Sequence, residues 1–134
     1  MKNQFFILLS VLVFGCQTND NEEQANPNDP IIIHVDSCFD NADNGISVCL
    51  VSVTEDSRCP TGLVCVWAGD AVANFTIKTK NELNSFQLHT NNSFQTDTLL
   101  QGYRIKLLSI SPYPSTDSQI DQKDYSAEIL VAKE

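Results

Sequence analysis

From Ile31 onward, apolar residues recur at every second position of this chain rather than at every third or fourth. In the clearest stretch, residues 71–78, one side is entirely apolar and the other largely polar: Ala71, Ala73, Phe75 and Ile77 alternate with Asn74, Thr76 and Lys78. Such spacing places successive side chains on opposite faces of an extended backbone, which predicts half-buried β-strands. No stretch of about twelve residues keeps the spacing of an amphipathic helix.

The same alternation predicts further strands near residues 31–35, 46–51, 86–89, 96–100, 103–110 and 125–131. A change of phase at Leu107-Leu108 predicts a β-bulge in one of them. Short clusters of turn-forming residues join most of these segments, as antiparallel neighbours require. We therefore expect an all-β fold, an immunoglobulin-like antiparallel β-sandwich of about seven strands over residues 31–134, with a small open β-barrel as the alternative.

The residues before this domain carry, in order, one positive charge, an apolar run and a cysteine. Lys2 is followed by the run Phe5 to Phe14, which ends at Gly15-Cys16 and is too short to span a bilayer as a helix. This order resembles the signal of bacterial lipoproteins, in which a small residue directly precedes the lipidated cysteine. The resemblance implies a signal peptide over residues 1–15 and a lipid anchor on Cys16. An ordinary secretory signal is the alternative, and it also implies export.

Residues 16–30 are expected to form a lipidated, disordered acidic tether. After Cys16 the segment has four acids, two prolines and no aliphatic residue larger than alanine, so it has nothing to bury. Acids close to the lipidated cysteine resemble the surface-export signal of Bacteroidota lipoproteins, and a plain linker in the periplasm is the alternative. We therefore expect an outer-membrane lipoprotein of the cell envelope, on either side of that membrane.

Charge excludes some classes of partner. The 134 residues carry a net charge of −9, and because Lys2 is the only charge before Gly15, the part from Cys16 onward carries −10. The few cations are not clustered, which argues against binding to nucleic acid and against electrostatic docking on anionic lipid. We expect a monomer attached to its membrane through lipid, and no motif indicates a cofactor.

Four cysteines remain after Cys16, namely Cys38, Cys49, Cys59 and Cys65. In an oxidising compartment an even number is expected to pair, and three pairings are possible. We favour Cys38–Cys49 and Cys59–Cys65, because each closes a short loop around turn-forming residues. A structural zinc ion on four thiolates is the alternative, but it requires closer spacing and reducing conditions.

The stretch Asp56 to Gly69, DSRCPTGLVCVWAG, contains two of these cysteines and the only tryptophan. Asp-Ser-Arg-Cys-Pro, four residues, Cys, one residue and Trp-Ala-Gly resemble the signature of a family of small secreted or lipid-anchored bacterial proteins. No activity is established for that family, so the resemblance implies export and a β fold but no catalytic residue.

This stretch is also a candidate recognition loop, with Tyr113 between two prolines as a further rigid contact. We expect Arg58 either to lie against Trp67 or to pair with Glu55 or Asp56, and Trp67 to cover the Cys59–Cys65 bridge. The alternative is a stapled loop that only packs on the end of the sandwich. The candidate contacts are Arg58, Pro60, Trp67 and Tyr113.

Motifs for catalysis are absent from the sequence. His34 and His89 fall on the polar sides of predicted strands, where solvated imidazoles are expected, and no nucleophile or phosphate-binding motif occurs. The segment around Asp36, Asp40 and Asp43 fails the EF-hand pattern but leaves a looser calcium site open.

The sequence therefore indicates a non-catalytic binding or accessory module that meets a protein or glycan partner through residues 56–69 or 112–123. One alternative is a calcium-dependent ligand-binding domain. Another is a protease-inhibitor-like domain that presents the Cys59–Cys65 loop.

Overall fold

The computed structural model describes residues 28–134. The predicted signal peptide, the predicted lipidation site Cys16 and most of the predicted tether lie outside the described residues. Eight strands and one short 3-10 helix follow one another within them. They are β1 (Ile31–His34), β2 (Ser37–Asn41), β3 (Ile46–Thr54), β4 (Val72–Lys78), β5 (Leu83–His89), β6 (Asp97–Leu100), β7 (Tyr103–Ser111), the 3-10 helix Gln122–Asp124 and β8 (Ser126–Lys133).

The strands form two antiparallel sheets of four, ordered β1-β8-β7-β6 and β2-β3-β4-β5. The predicted antiparallel sandwich is confirmed, and the sheets do not close into a barrel. The sandwich has eight strands where the sequence predicts about seven, and the additional strand is β2 (Ser37–Asn41). That strand is short and lies at a sheet edge, and only Phe39 on it packs against the core, so its sequence carries almost no alternation.

The core lies between the two sheets and consists of the residues that the period of two places inward. The largest fully buried side chains are Phe75, Leu50, Ile77, Leu88, Ile105, Ile129, Val48 and Val53. Burying each such side chain contributes about 1.5–3 kcal/mol. The four residues predicted to face inward between Ala71 and Ile77 are all buried, so the alternation located the core correctly.

Two strands carry a bulge. In β7, Leu107 pairs with Ile129 and Ser109 with Glu128, which leaves Leu108 unpaired and confirms the predicted bulge. In β3 a second irregularity leaves Val51 between the paired residues Leu50 and Ser52. This one was not predicted, although the doubled apolar pair Leu50-Val51 followed by Val53 is the same change of phase as Leu107-Leu108 followed by Ile110.

Both favoured disulfides are present. Cys38 and Cys49 are directly opposite each other on β2 and β3, and Cys59–Cys65 closes part of the connection between β3 and β4. The pairing predicted from loop length is therefore confirmed. Within residues 28–134, no helix has the length and apolar character needed to cross a membrane.

Candidate functional site

The connection between β3 and β4, residues 55–71, contains the signature stretch. It divides into two parts, which we call the base, residues Asp56–Arg58 together with Gly69 and Asp70, and the tip, residues Leu63–Trp67. The base is held by side-chain contacts to several strands, whereas the tip is exposed. The two parts therefore have different roles.

Arg58 is the centre of the base. The residue is 7% exposed, and it is the only buried charged residue in the described part of the chain. Its Nε and Nη2 atoms donate to the two carboxylate oxygens of Asp56 at 2.8 and 2.7 Å. Its Nη1 and Nη2 atoms also donate to the carbonyl oxygens of Ile110 and Pro112, at 2.6 and 3.0 Å. The fork of the guanidinium is thus engaged on both sides, as a buried cation requires.

Tyr125, directly before β8, completes this network. Its hydroxyl donates to Asp56 Oδ2 at 2.8 Å, across 69 positions of sequence. Burial and the hydrogen bond to the Asp56 carboxylate raise the pKa of Tyr125 to about 12. Burial also raises the pKa of Asp56, but hydrogen bonds from Arg58 and Tyr125 outweigh it and hold that pKa below its usual value. The Arg58–Asp56 ion pair, together with the neutral phenol of Tyr125, therefore joins the base to the end of β7 and the start of β8.

The segment after β7 packs along the loop. The Tyr113 ring centroid lies 5.0 Å from Arg58 Cζ, and the Thr61 backbone N–H donates to the Pro114 carbonyl at 3.0 Å. Of the four candidate contacts, the structure thus brings Arg58 and Tyr113 together, whereas the Pro60 carbonyl accepts from the Leu63 N–H within the loop and Trp67 lies in the tip. Of the alternatives expected for Arg58, the structure shows the pair with Asp56. The aromatic ring beside the guanidinium is that of Tyr113 rather than that of Trp67.

A second anchor holds the other end of the loop. Asp70 accepts hydrogen bonds from His89 Nδ1 at 2.6 Å, from Thr90 Oγ1 at 3.1 Å and from the Asn91 backbone N–H at 3.0 Å. Burial raises the pKa of Asp70, but these hydrogen bonds outweigh it and hold its pKa below its usual value. His89 was predicted to be solvated, and this is wrong because β5 ends beside the loop. His34 is exposed, as predicted.

The first and last parts of the loop, which we call its two limbs, pack against each other at Ser57 and Gly69. The Ser57 backbone N–H donates to the Asp70 carbonyl at 2.7 Å, and the Asp70 N–H donates to Ser57 Oγ at 3.1 Å. Gly69 has a φ of +67°, and a Cβ atom on it would overlap the Ser57 carbonyl. Glycine is therefore required here both for its backbone conformation and for the space.

The tip is apolar and exposed. The exposed fractions are 53% for Leu63, 102% for Val64, 91% for Val66 and 83% for Trp67. At that exposure Trp67 does not cover the Cys59–Cys65 bridge, so this expectation is corrected. No acidic or basic residue occurs between Cys59 and Gly69, which leaves an uncharged apolar patch at the end of a stapled loop.

The aspartates proposed as calcium ligands are not brought together. Asp36 lies between β1 and β2, Asp40 is in β2, Asp43 is in the β2–β3 turn, and all three are exposed. Among residues 28–134, no group of three or more His, Cys, Asp or Glu side chains is placed to hold a metal ion.

Two parts of the site were not predicted. Tyr125 was assigned to a strand without a partner for its hydroxyl, and Asp70 with Thr90 and Asn91 was not singled out. The hydrogen-bond partners in these two groups are 19 to 69 positions apart in the sequence. A pattern within a few neighbouring residues cannot predict such pairs. Comparison of the chain with protein-family models, curated proteins and solved structures finds no match.

Replacement of Arg58 by methionine is expected to lower the free energy of unfolding by about 3–5 kcal/mol, because the Asp56 carboxylate, whose side chain is only 11% exposed, loses its cationic partner. The matched control is Arg104→Met, since Arg104 pairs with Asp97 and Glu134 at the surface and should cost much less. Denaturant unfolding followed by circular dichroism measures both. Equal losses would contradict a structural role for the buried pair.

Replacement of Gly69 by alanine is expected to destabilise the protein more than replacement of Gly62. Both glycines have positive φ, but a Cβ on Gly62 meets no atom within 4 Å. Each alanine costs roughly 1–2 kcal/mol for the left-handed backbone, and the clash at Gly69 adds about 1–3 kcal/mol. Melting temperatures of the two variants test this. The described packing of the two limbs would be wrong if Gly62→Ala were the more harmful.

Tyr125 is expected to make the stability depend on alkaline pH. Its pKa is 10.0 when unperturbed and about 12 in the folded protein, so the contribution of the neutral phenol is fully present below pH 10.0 and is lost as the pH rises through about 12. The difference in unfolding free energy between the natural protein and Tyr125→Phe should therefore shrink over that range. A difference that stays constant would show that the phenol does not titrate against Asp56.

Proposed function

We propose that this protein is a non-catalytic binding module of the cell envelope, held at the outer membrane by a lipid on Cys16, that binds a partner protein through the apolar tip. The observation that carries the proposal is the exposure of four large apolar side chains, between 53% and 102%, at the end of a loop whose base is buried. Large exposed apolar groups in one place are typical of interaction sites.

The anchoring of the base supports this role. Binding through a mobile loop has to order the loop, which weakens affinity, whereas a loop that is already held in place avoids that cost. Here the Cys59–Cys65 bridge, the Arg58–Asp56 pair and the Asp70 hydrogen bonds restrict the loop from three directions. The two ends of the tip are therefore held in place before any partner binds.

The chemistry of the tip indicates the kind of surface that it fits. Trp67 is the residue type most often found at the centre of protein interfaces, and the aliphatic residues beside it favour a dry contact. With no charge between Cys59 and Gly69, the contact gains nothing from electrostatic steering. The expected partner is a protein with an apolar pocket or groove.

The two alternative functions receive less support. A protease cleft binds an inhibitor segment in an extended conformation, but the Leu63 N–H donates to the Pro60 carbonyl at 3.2 Å and closes a turn. A calcium-dependent module would need ligands that converge, and Asp36, Asp40 and Asp43 lie on separate exposed segments.

The test places a photo-reactive benzoylphenylalanine at position 67 of the full-length chain in intact cells of the source bacterium. Leu83, which is 66% exposed on β5, is the matched control position. We expect a protein adduct of defined mass from position 67 that is absent from position 83 and is lost when Val64→Asp is added. Val64 is fully exposed, so that change should alter stability by less than about 0.5 kcal/mol.

Labelling of lipid instead of protein, equal labelling at positions 67 and 83, or an adduct unaffected by Val64→Asp would overturn the proposal. The lipid attachment is tested separately, because the tip could also bind a partner if the domain were soluble and not anchored to a membrane. Cys16→Ser should yield an unprocessed or soluble species, and unchanged partitioning into membranes would contradict the lipid anchor.

A further inference from the structure

The outer face of the sheet β2-β3-β4-β5 carries an open cavity of about 670 Å³. Its floor is built mainly from residues that alternate with the buried ones on β4 and β5 and therefore point away from the core. Phe75 and Phe86, which belong to the inward-facing set of those strands, also line it. Asn74 pairs directly with Gln87, and Thr76 with Ser85. This size is within the range of small-molecule sites.

Further residues form the sides of the cavity. Val51, left outside the pairing by the bulge of β3, contributes an apolar side chain, and Gln95 comes from the connection after β5. The His89 backbone N–H donates to the Gln95 carbonyl at 2.8 Å, which holds that connection against the strand. Phe94 lies beside the cavity, with its ring centroid 5.0 Å from that of His89.

The lining is rich in hydrogen-bonding groups and has no permanent charge. Its polar side chains are three amides, two hydroxyls and one imidazole, and no Asp, Glu, Lys or Arg is among the lining residues, although the chain has 25 of them. The polar members are Asn74, Thr76, Ser85, Gln87, His89 and Gln95.

Part of the lining is fixed and part is available. Gln87 Nε2 donates to Asn74 Oδ1 at 2.7 Å, and Asn74 Nδ2 donates to Ser52 Oγ at 3.1 Å, so both amides are oriented. His89 Nδ1 is already hydrogen-bonded to Asp70, so only its Nε2 atom is available to a ligand. Among the described residues, the side chains of Ser85 and Gln95 have no hydrogen-bond partner.

We infer that this cavity binds a neutral saccharide. Hydroxyl and amide groups both donate and accept, so an array of them matches the hydroxyl groups of a sugar ring. A charged ligand would meet no counter-charge, and an apolar ligand would leave the polar lining unpaired. A peptide backbone bonds to the edge of a sheet rather than to the side chains on its face. Val51 supplies an apolar surface for the C–H groups of the ring.

The experiment is isothermal titration of the full-length protein with neutral tetrasaccharides of glucose, mannose, galactose and N-acetylglucosamine. Tetragalacturonate and tetra-alanine serve as the charged and the peptidic probes. We expect at least one neutral tetrasaccharide to bind and both other probes to fail. The double variant Ser85→Ala, Gln95→Ala should raise the Kd for that saccharide about tenfold, because two hydrogen bonds are lost.

The matched control is the double variant Ser37→Ala, Asn81→Ala, which likewise removes one hydroxyl and one amide, at exposed positions of β2 and of the β4–β5 turn that do not line the cavity. It should leave the Kd unchanged, as should Trp67→Ser in the tip, so this result does not depend on the proposed function of the tip. Failure of all four neutral probes, preference for galacturonate or peptide, or equal effects of the two double variants would each overturn the inference.

Discussion

The buried ion pair between Arg58 and Asp56 is the constraint on which the long connection depends. The guanidinium of a residue that is 7% exposed must have its charge and its donors satisfied, and here the partners come from the loop itself, from the end of β7 and, through Tyr125, from the start of β8. Such a pair adds little stability over an apolar core of the same volume, but breaking it is costly. It therefore acts mainly by specifying one position of the loop.

This constraint explains why one short stretch can be both structural and exposed. Asp56, Arg58 and Gly69 serve the base, where charge pairing and close backbone approach leave no freedom of residue type. Trp67 belongs to the tip and takes no part in that packing. Because the base and the bridge fix the loop, the tip does not need to pack on the sandwich, and its apolar side chains stay available for another molecule.

The sequence predicted the features that depend on local pattern. The period of two located seven of the strands, the inward residues and the bulge at Leu108, since each leaves a trace within a few positions. β2 was missed because an edge strand needs only one apolar side chain, Phe39, to pack inward. The hydrogen bonds of Tyr125 and of His89 were missed because the folded topology, rather than any spacing, brings their partners together.

The tip and the cavity are linked through one residue pair, yet they are expected to act independently. His89 lines the cavity, and its Nδ1 bonds to Asp70 in the base of the loop. Coupling between the tip and the cavity would require a structural element with two alternative conformations, and a ligand at each site would have to favour one of them. Asp70 is also held by Thr90 and by the Asn91 backbone, so a ligand on His89 Nε2 meets a rigid support. If both proposals hold and the saccharide and the apolar pocket belong to one partner, contact at one site raises the effective concentration of the partner at the other.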